Sequence, residues 1–289
     1  MWQEINGKSR VCGLFGHPVE HSFSPAMHNA AFAEKGLNWV YVPFDVKPES
    51  LARAVSGIVA LNLAGVNVTV PHKQAVMPLL DEIDPIAQMI GAVNTIVNHG
   101  GRLIGYNTDG SGFVESLARE GDFSPAGKNA LILGAGGAAR AVAVKLALSG
   151  VKTLALSNRS LDKAAALASQ ISKLTGVQAK ALPWGKELPK ERVAESHLVV
   201  QTTPIGMSPG KDSYPEFPFE VLQPGQLVCD LIYNPDQTCF LKLAAQRGAA
   251  VLNGIGMLLY QGVLAFELWT KEKAPVEVMK ISLREQVCK

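Results

Sequence analysis

Residues 129–156 restrict what this chain can fold into more than any other stretch. Residues 129–133, NALIL, form an almost unbroken apolar run, as a strand covered on both faces requires. GAGGAA follows at 134–139, then an apolar segment to Leu148, then Gly150 and a second strand-like run, VKTLAL, at 151–156. Strand, glycine turn, helix and strand within about thirty residues make one parallel βαβ unit. The turn fits the pattern G-x-G-x-x-G/A. Gly134 permits the tight turn, Gly136 lets the backbone approach a pyrophosphate, and Ala139 lets helix pack closely on strand. Ala135, Gly137 and Ala138 complete it, and the helix N-terminus offers N–H groups and partial positive charge to phosphates. The expectation is a doubly wound dinucleotide domain.

The end of the second strand selects the dinucleotide. An NAD site places Asp or Glu about 20 residues on, to bind the ribose 2′-hydroxyl. Here the chain reads LSNRS at 156–160, and the nearest acid, Asp162, lies past the strand end. Arg159 can meet a 2′-phosphate with a fork of donors. Asn158 and Ser160 add neutral hydrogen bonds and Lys163 a second positive charge. NADP(H) is therefore the expected cofactor.

The chain has 289 residues, enough for two domains. Hydrophobic residues are 47% and charged residues 18%, which supports large cores and argues against disorder. A net charge of +2 gives no footing for nucleic acid or a membrane surface as partner. Cys12, Cys229, Cys239 and Cys288 contain no CxxC pair, so neither a disulfide framework nor a zinc knuckle is expected. The polar start, MWQEINGKSR, lacks the apolar core of a secretory signal, and no apolar run is long enough to span a bilayer. The cytoplasm is the expected compartment.

Before the fingerprint, strands at 10–15, 39–44 and 64–70 alternate with helical patterns at 25–35 and 49–56, which predicts a mostly parallel sheet. Residues 91–97 and 102–106 read as two strands joined by the turn NHGG. After it come a helix at 161–174, a surface loop at 183–192, strands at 197–200 and 226–231, and a helix from Met257.

If the later domain holds NADP, polar groups elsewhere must hold the substrate. Ser22 and Ser24 follow the first strand, Asn67 and Thr69 share one strand face, and Lys73 follows a proline break. Asn94 lies in GAVNT, and Asp109 in YNTDG. Each has a plainer reading. Ser24 before Pro25 suits a helix N-cap, Thr69 favours strands, Asn94 can satisfy loop backbone, Asp109 before a glycine suits a turn, and a lone Lys is commonly solvated. HPVEH at 17–21 matches an inverted zinc-peptidase pattern, but Pro18 interrupts any helix through it and no third ligand is evident. SGVKT at 149–153 lacks the spacing of a P-loop.

These motifs together resemble the shikimate dehydrogenase family along nearly the whole chain. GHPVEHSFSP at 16–25 is similar to its G-x-P-x-x-H-S-x-S-P, and NVTVPHK at 67–73 to its N-V-T-x-P-x-K. GAVNT at 91–95, GYNTDG at 105–110, GAGGA at 134–138, NRS at 158–160 and GIGM at 254–257 with Gln261 complete the set. The resemblance implies that Ser22, Ser24, Thr69, Asn94, Asp109, Tyr233 and Gln261 contact shikimate, with Asn67 close by. Lys73 and Asp109 would be the catalytic pair. Residues 134–138 and 158–163 would hold NADP, with Leu231 and Gly254 near the nicotinamide and Thr202 in an adjacent loop. It implies an α/β fold of two domains: residues 1–109 with 255–289 for substrate and catalysis, and a Rossmann-type NADP domain at 110–254. The reaction would be reversible reduction of 3-dehydroshikimate to shikimate, on the route to chorismate and the aromatic amino acids. A homodimer is compatible with it. Two departures stand out: NRS replaces the family's NRT, and Lys163 replaces an Arg, which loses the guanidinium fork. A quinate/shikimate dehydrogenase with broader substrate or NAD use is the near rival. A non-catalytic NADP/shikimate sensor is the distant one, and it would be expected to lack Lys73 or Asp109.

Overall fold

A computed structural model describes residues 5–287, so Cys288 lies outside the described residues. The chain divides into two compact units. One holds the described residues up to Thr108 together with those from Gln261 on, and the other holds Asp109–Tyr260. Both are α/β.

The first unit contains β1 (Arg10–Gly16), α1 (Ser24–Glu34), β2 (Trp39–Asp45), α2 (Leu51–Ala60), β3 (Gly65–Val68), β4 (Glu82–Ile83), α3 (Pro85–Ile90), β5 (Thr95–His99) and β6 (Arg102–Tyr106). Its sheet order is β2-β1-β3-β5-β6-β4. β1 runs parallel to β2 and β3, and β4 parallel to β6, but β5 is antiparallel to both its neighbours. The reason is local: Gly100 and Gly101, both at positive φ, let β5 turn straight back into β6 as a hairpin. Strand β3 stops at Val68, two residues short of the expected end. Residues 91–94 are not strand, because Gly91 at φ +69° ends α3. One apolar face packs Phe15, Val55, Ile58, Val66, Val68 and Ile96 into a core.

The second unit contains α4 (Asp109–Glu120), β7 (Asn129–Leu133), α5 (Gly137–Leu148), β8 (Thr153–Ser157), α6 (Leu161–Thr175), β9 (Gln178–Leu182), α7 (Lys190–Ala194), β10 (Leu198–Gln201), β11 (Leu227–Asp230), α8 (Cys239–Ala245) and β12 (Ala250–Leu252). All its strands are parallel, in the order β12-β11-β10-β7-β8-β9. Read from β9 this is the doubly wound order 3-2-1-4-5-6. The central strands β7 and β10 are buried and apolar, as a sheet covered on both faces demands. Residues 183–192, expected as a loop, include the start of α7.

Helix α9 (Ile255–Thr270) carries the second division, and α10 (Val276–Val287) follows it. The division falls after Tyr260 rather than after Gly254, because the first turn of α9 packs on α4. A Cβ built on Gly256 would lie 2.8 Å from that of Ser116. Asp109 likewise belongs to the second unit, as the first residue of α4. Within the first unit Phe266 stacks on Phe32 at 5.3 Å, Trp269 Nε1 donates to Ile96 O at 3.0 Å, and α10 packs on α1. No helix among the described residues is long and apolar enough to cross a membrane.

Candidate active site

In the first unit the candidate substrate residues are tied by a chain of buried hydrogen bonds. Ser24 is the first residue of α1, not its cap: the capping position is Phe23 and no side chain caps the helix. The Ser24 hydroxyl instead hydrogen-bonds the Tyr41 phenol. Ser22 is half-buried beside it, its Oγ accepting from Ser24 N at 3.3 Å. Burial raises the Tyr41 phenol well above its usual range, so the group stays protonated. It therefore donates, to Asn67 Oδ1 at 2.9 Å. Asn67 Nδ2 donates onward to Thr95 Oγ1 at 3.0 Å and to Asn94 O at 3.2 Å. With both amide hydrogens engaged, Asn67 can offer a ligand only an acceptor.

Asn94 extends the chain. Its Nδ2 donates to Thr108 Oγ1 at 2.9 Å and its Oδ1 accepts from Thr108 N at 2.8 Å. That second bond fixes the backbone one residue before Asp109. Asn94 thus does satisfy loop backbone, and Asp109 opens a helix rather than a turn. Thr69, half-buried, lies one residue past β3 but keeps the ladder through its N–H to Phe15 O at 2.9 Å. The loop that follows is anchored by His72, buried and bonded to Val46 O at 2.6 Å. Lys73 is half-buried, and its carbonyl accepts from Val93 N at 2.8 Å. Gln261, in α9, is buried. Lys73 and Gln261 fall in the first unit, Asp109 and Tyr233 in the second. Residues 17–23 form no helix, and His17 Nδ1 instead meets the Asp45 carboxylate at 2.7 Å.

The second unit carries the candidate phosphate-binding residues at the carboxyl edge of its sheet. Gly134 follows β7 at φ +118°, and a Cβ there would run into Thr202 Oγ1. Only glycine fits both conditions. Gly136 and Gly137 differ: a Cβ at either meets nothing within 4 Å. Their lack of side chains is not demanded by packing inside the protein, which fits close approach of a ligand backbone or phosphate. Gly136 caps α5 without a side chain, and Ala135 and Ala138 lie partly or fully exposed beside it. Strand β8 pairs with β7 up to Leu133–Ser157, so residues 158–160 emerge next to the glycine turn. There Asn158 Nδ2 donates to Ser160 O at 2.9 Å, while Arg159 and Lys163 are exposed. No acid stands among residues 157–161. These residues fit a nucleotide with a charged group on its ribose.

The remaining predicted positions line the same edge. Thr202 Oγ1 donates to Leu133 O at 2.8 Å. Leu231 N donates to Gln201 O at 2.9 Å, and Gly254 N to Ile232 O at 3.0 Å. A Cβ on Gly254 would collide with Leu231 O. Tyr233 is half-buried, and burial raises its phenol above the ordinary value. Sequence reasoning missed Tyr41, Thr95 and Thr108, and also the buried pair Gln201 and Asp230. Tyr41 looks like any strand aromatic. A signal did exist for Asp230: an acid closing the apolar run LVCD.

Comparisons with known proteins agree along the whole length. Family models match at residues 14–96 (shikimate dehydrogenase substrate binding domain), 116–204 (shikimate/quinate 5-dehydrogenase) and 254–284 (shikimate 5′-dehydrogenase C-terminal domain). The chain is 63% identical to a shikimate dehydrogenase (NADP(+)) of Desulforamulus reducens over 99% of its length and 98% of the relative's. It is similar in structure to a shikimate 5-dehydrogenase of Listeria monocytogenes in complex with shikimate and NAD. That match has a TM-score of 0.93 and 38% identity, and covers 97% and 98% of the two chains. A ligand-free 5-ketofructose reductase of a Gluconobacter species is also similar, with a TM-score of 0.90 and 39% identity over 97% and 99%. The chain belongs to the shikimate dehydrogenase family.

Proposed function

We propose that the chain catalyses the reversible, NADPH-dependent reduction of 3-dehydroshikimate to shikimate in the biosynthesis of chorismate and the aromatic amino acids. The observation that carries this reading is a conjunction in one family member. The first unit holds a buried chain of neutral hydroxyl and amide groups suited to a polyhydroxylated acid. The second holds a glycine turn beside an acid-free strand end bearing Arg159. Similarity of fold alone leaves the substrate open, since a 5-ketofructose reductase is 39% identical to this chain.

Bound NADPH supplies the hydride. The protein positions the carbonyl and handles one proton. Ser22, Ser24, Thr69, Asn94, Tyr233 and Gln261 contact the substrate's carboxylate and hydroxyls, with Asn67 accepting. Lys73 and Asp109 are the catalytic residues: the positive charge of Lys73 stabilises negative charge developing on the C3 oxygen, and one of the two side chains passes the proton. Residues 134–138 cradle the pyrophosphate on the α5 N-terminus. Asn158, Arg159, Ser160 and Lys163 hold the 2′-phosphate, and Thr202, Leu231 and Gly254 border the nicotinamide.

Lys73→Ala is expected to lower kcat by about 10²- to 10⁴-fold with a much smaller change in KM, since a transition-state contact is lost. A kcat near wild type would remove Lys73 from the mechanism. Arg159→Ala is expected to reduce the NADPH/NADH preference, and an unchanged preference refutes the 2′-phosphate assignment. A spectrophotometric assay crossing shikimate and quinate with NADP⁺ and NAD⁺ decides against the broader quinate/shikimate enzyme. We also infer a cytoplasmic protein acting on small molecules, with no nucleic-acid or membrane partner. Sedimentation distinguishes monomer from homodimer.

A further inference from the structure

We infer that Gln201 and Asp230, buried beneath the carboxyl ends of β10 and β11, are positioning residues that set the wall on which the nicotinamide rests. The inference rests on reading the second unit as the NADP(H) domain. In a doubly wound sheet the ligand crevice opens where the strand order reverses. Here that point lies between β7 and β10, and the loops after β10 and β11 form one side of it.

Both side chains are fully buried, so neither touches a ligand; they act through backbone. Gln201 Nε2 donates to Thr203 O at 3.0 Å and to Ile205 O at 3.1 Å, and its Oε1 accepts from Thr203 N. Those bonds fold residues 202–205 back over the strand end. Asp230 does the same for the next loop. Its Oδ1 accepts from Ile232 N at 3.1 Å and its Oδ2 from Thr238 Oγ1 at 2.7 Å. Gln201 Nε2 also lies 3.4 Å from Asp230 Oδ1, a longer contact that shares one of those two amide hydrogens and links the two loops. Backbone bonds carry the lacing outward: Thr202 N to Leu133 O at 3.0 Å, and Gly254 N to Ile232 O at 3.0 Å. Thr202 Oγ1 lies within clashing distance of where a Gly134 Cβ would be, so a shift of residue 202 is felt at the glycine turn. One buried amide and one buried carboxylate thus hold Thr202, Leu231 and Gly254 in register. Burial pushes the Asp230 carboxyl up to about 6, against the lowering effect of Thr238 and the Ile232 N–H. An apolar side chain would avoid that cost, but it would release the Ile232 loop.

The test is Asp230→Asn, which turns an amide toward the donors Ile232 N–H or Thr238 O–H. The readouts are the Kd for NADP⁺ in a fluorescence titration, kcat, KM for NADP⁺ and for shikimate, and the deuterium isotope effect on kcat with shikimate deuterated at its carbinol carbon. We expect KM for NADP⁺ to rise about tenfold and kcat to fall about 10- to 100-fold, the scale of a sub-ångström misplacement. The isotope effect should grow as hydride transfer becomes limiting, with KM for shikimate and the NADPH/NADH preference nearly unchanged. Wild-type kinetics in a folded variant overturn the inference. So does a lowered kcat with unchanged KM for NADP⁺ and unchanged isotope effect, which marks a merely structural role. If Asp230→Asn does not fold, Thr238→Val should show the same split in smaller degree and Thr238→Ser should restore it; identical behaviour of the two overturns the inference. Failure of the wild-type chain to bind NADP⁺ in a fluorescence titration would instead defeat the functional reading on which it rests.

Discussion

The two sheets bury polar groups in opposite ways. The first unit buries neutral groups that satisfy one another, Tyr41 to Asn67 to Thr95 and Asn94 to Thr108. Beside them it buries His28, whose ring nitrogens have no partner among the described residues. That ring stacks on Tyr41 at 4.5 Å and 11°, with Trp269 at 5.3 Å. The second unit buries a carboxylate, Asp230, and surrounds it with three donors. A mixed sheet with side-chain chains running across it can present several neutral hydroxyls and amides to a ligand. A parallel sheet instead gathers loops at one edge and needs something beneath them to hold them. The units are therefore expected to respond to pH with opposite sign.

The largest effect belongs to His28. Burial lowers it from 6.5 to about 3, so the unfolded chain binds the proton more readily. Stability is full above pH 6.5 and falls as pH drops toward 3, by about 5 kcal/mol from this group. His28→Phe keeps the stack, removes two unsatisfied atoms and should flatten that acid limb in denaturant titrations. An acid limb of undiminished depth would place the loss elsewhere.

Asp230 is smaller and reversed. Its folded value, about 6 against an ordinary 3.8, means that the native state holds the proton more tightly. Its contribution is complete below about pH 4 and declines by roughly 3 kcal/mol as pH rises through 6. Hydrogen exchange sharpens the contrast: acid should open amides of β3 and β5 before those of β10 and β11. Equal slopes in the two sheets would break the comparison.

The smallest effect tests the edge of the second sheet alone. Gly134→Ala forces a Cβ at φ +118° toward Thr202, and should cost about 1–3 kcal/mol, read as a lowered Tm together with weaker NADP⁺ binding. A Tm within a degree of wild type would show that the loop after β10 yields freely, contrary to the lacing described for Gln201.

Legibility followed sequence distance. The βαβ unit at 129–156 was readable because its contacts are made by neighbours in the chain, through strand patterning and glycine spacing. The absent acid after β8 and the presence of Arg159 were equally plain. The β5–β6 hairpin is legible in its turn, NHGG, but nothing local shows that β5 also pairs antiparallel with β3. Ser24 reads as a cap from its place before Pro25, yet its hydroxyl goes to Tyr41, seventeen residues on. Nothing in WVYVPF distinguishes a hub tyrosine from a core aromatic.

The residue pattern by itself determined the class of each layer, the glycine turn, the family and the kind of cofactor, because each depends on residue type at short spacing. Only the tertiary structure decided which buried groups share hydrogens: Tyr41 with Asn67 across 26 residues, Trp269 with Ile96 across 173, Gln201 with Asp230 across 29. Such pairs leave no periodic mark, since a hydrogen bond depends on where two atoms meet in space and not on how far apart they stand in the chain.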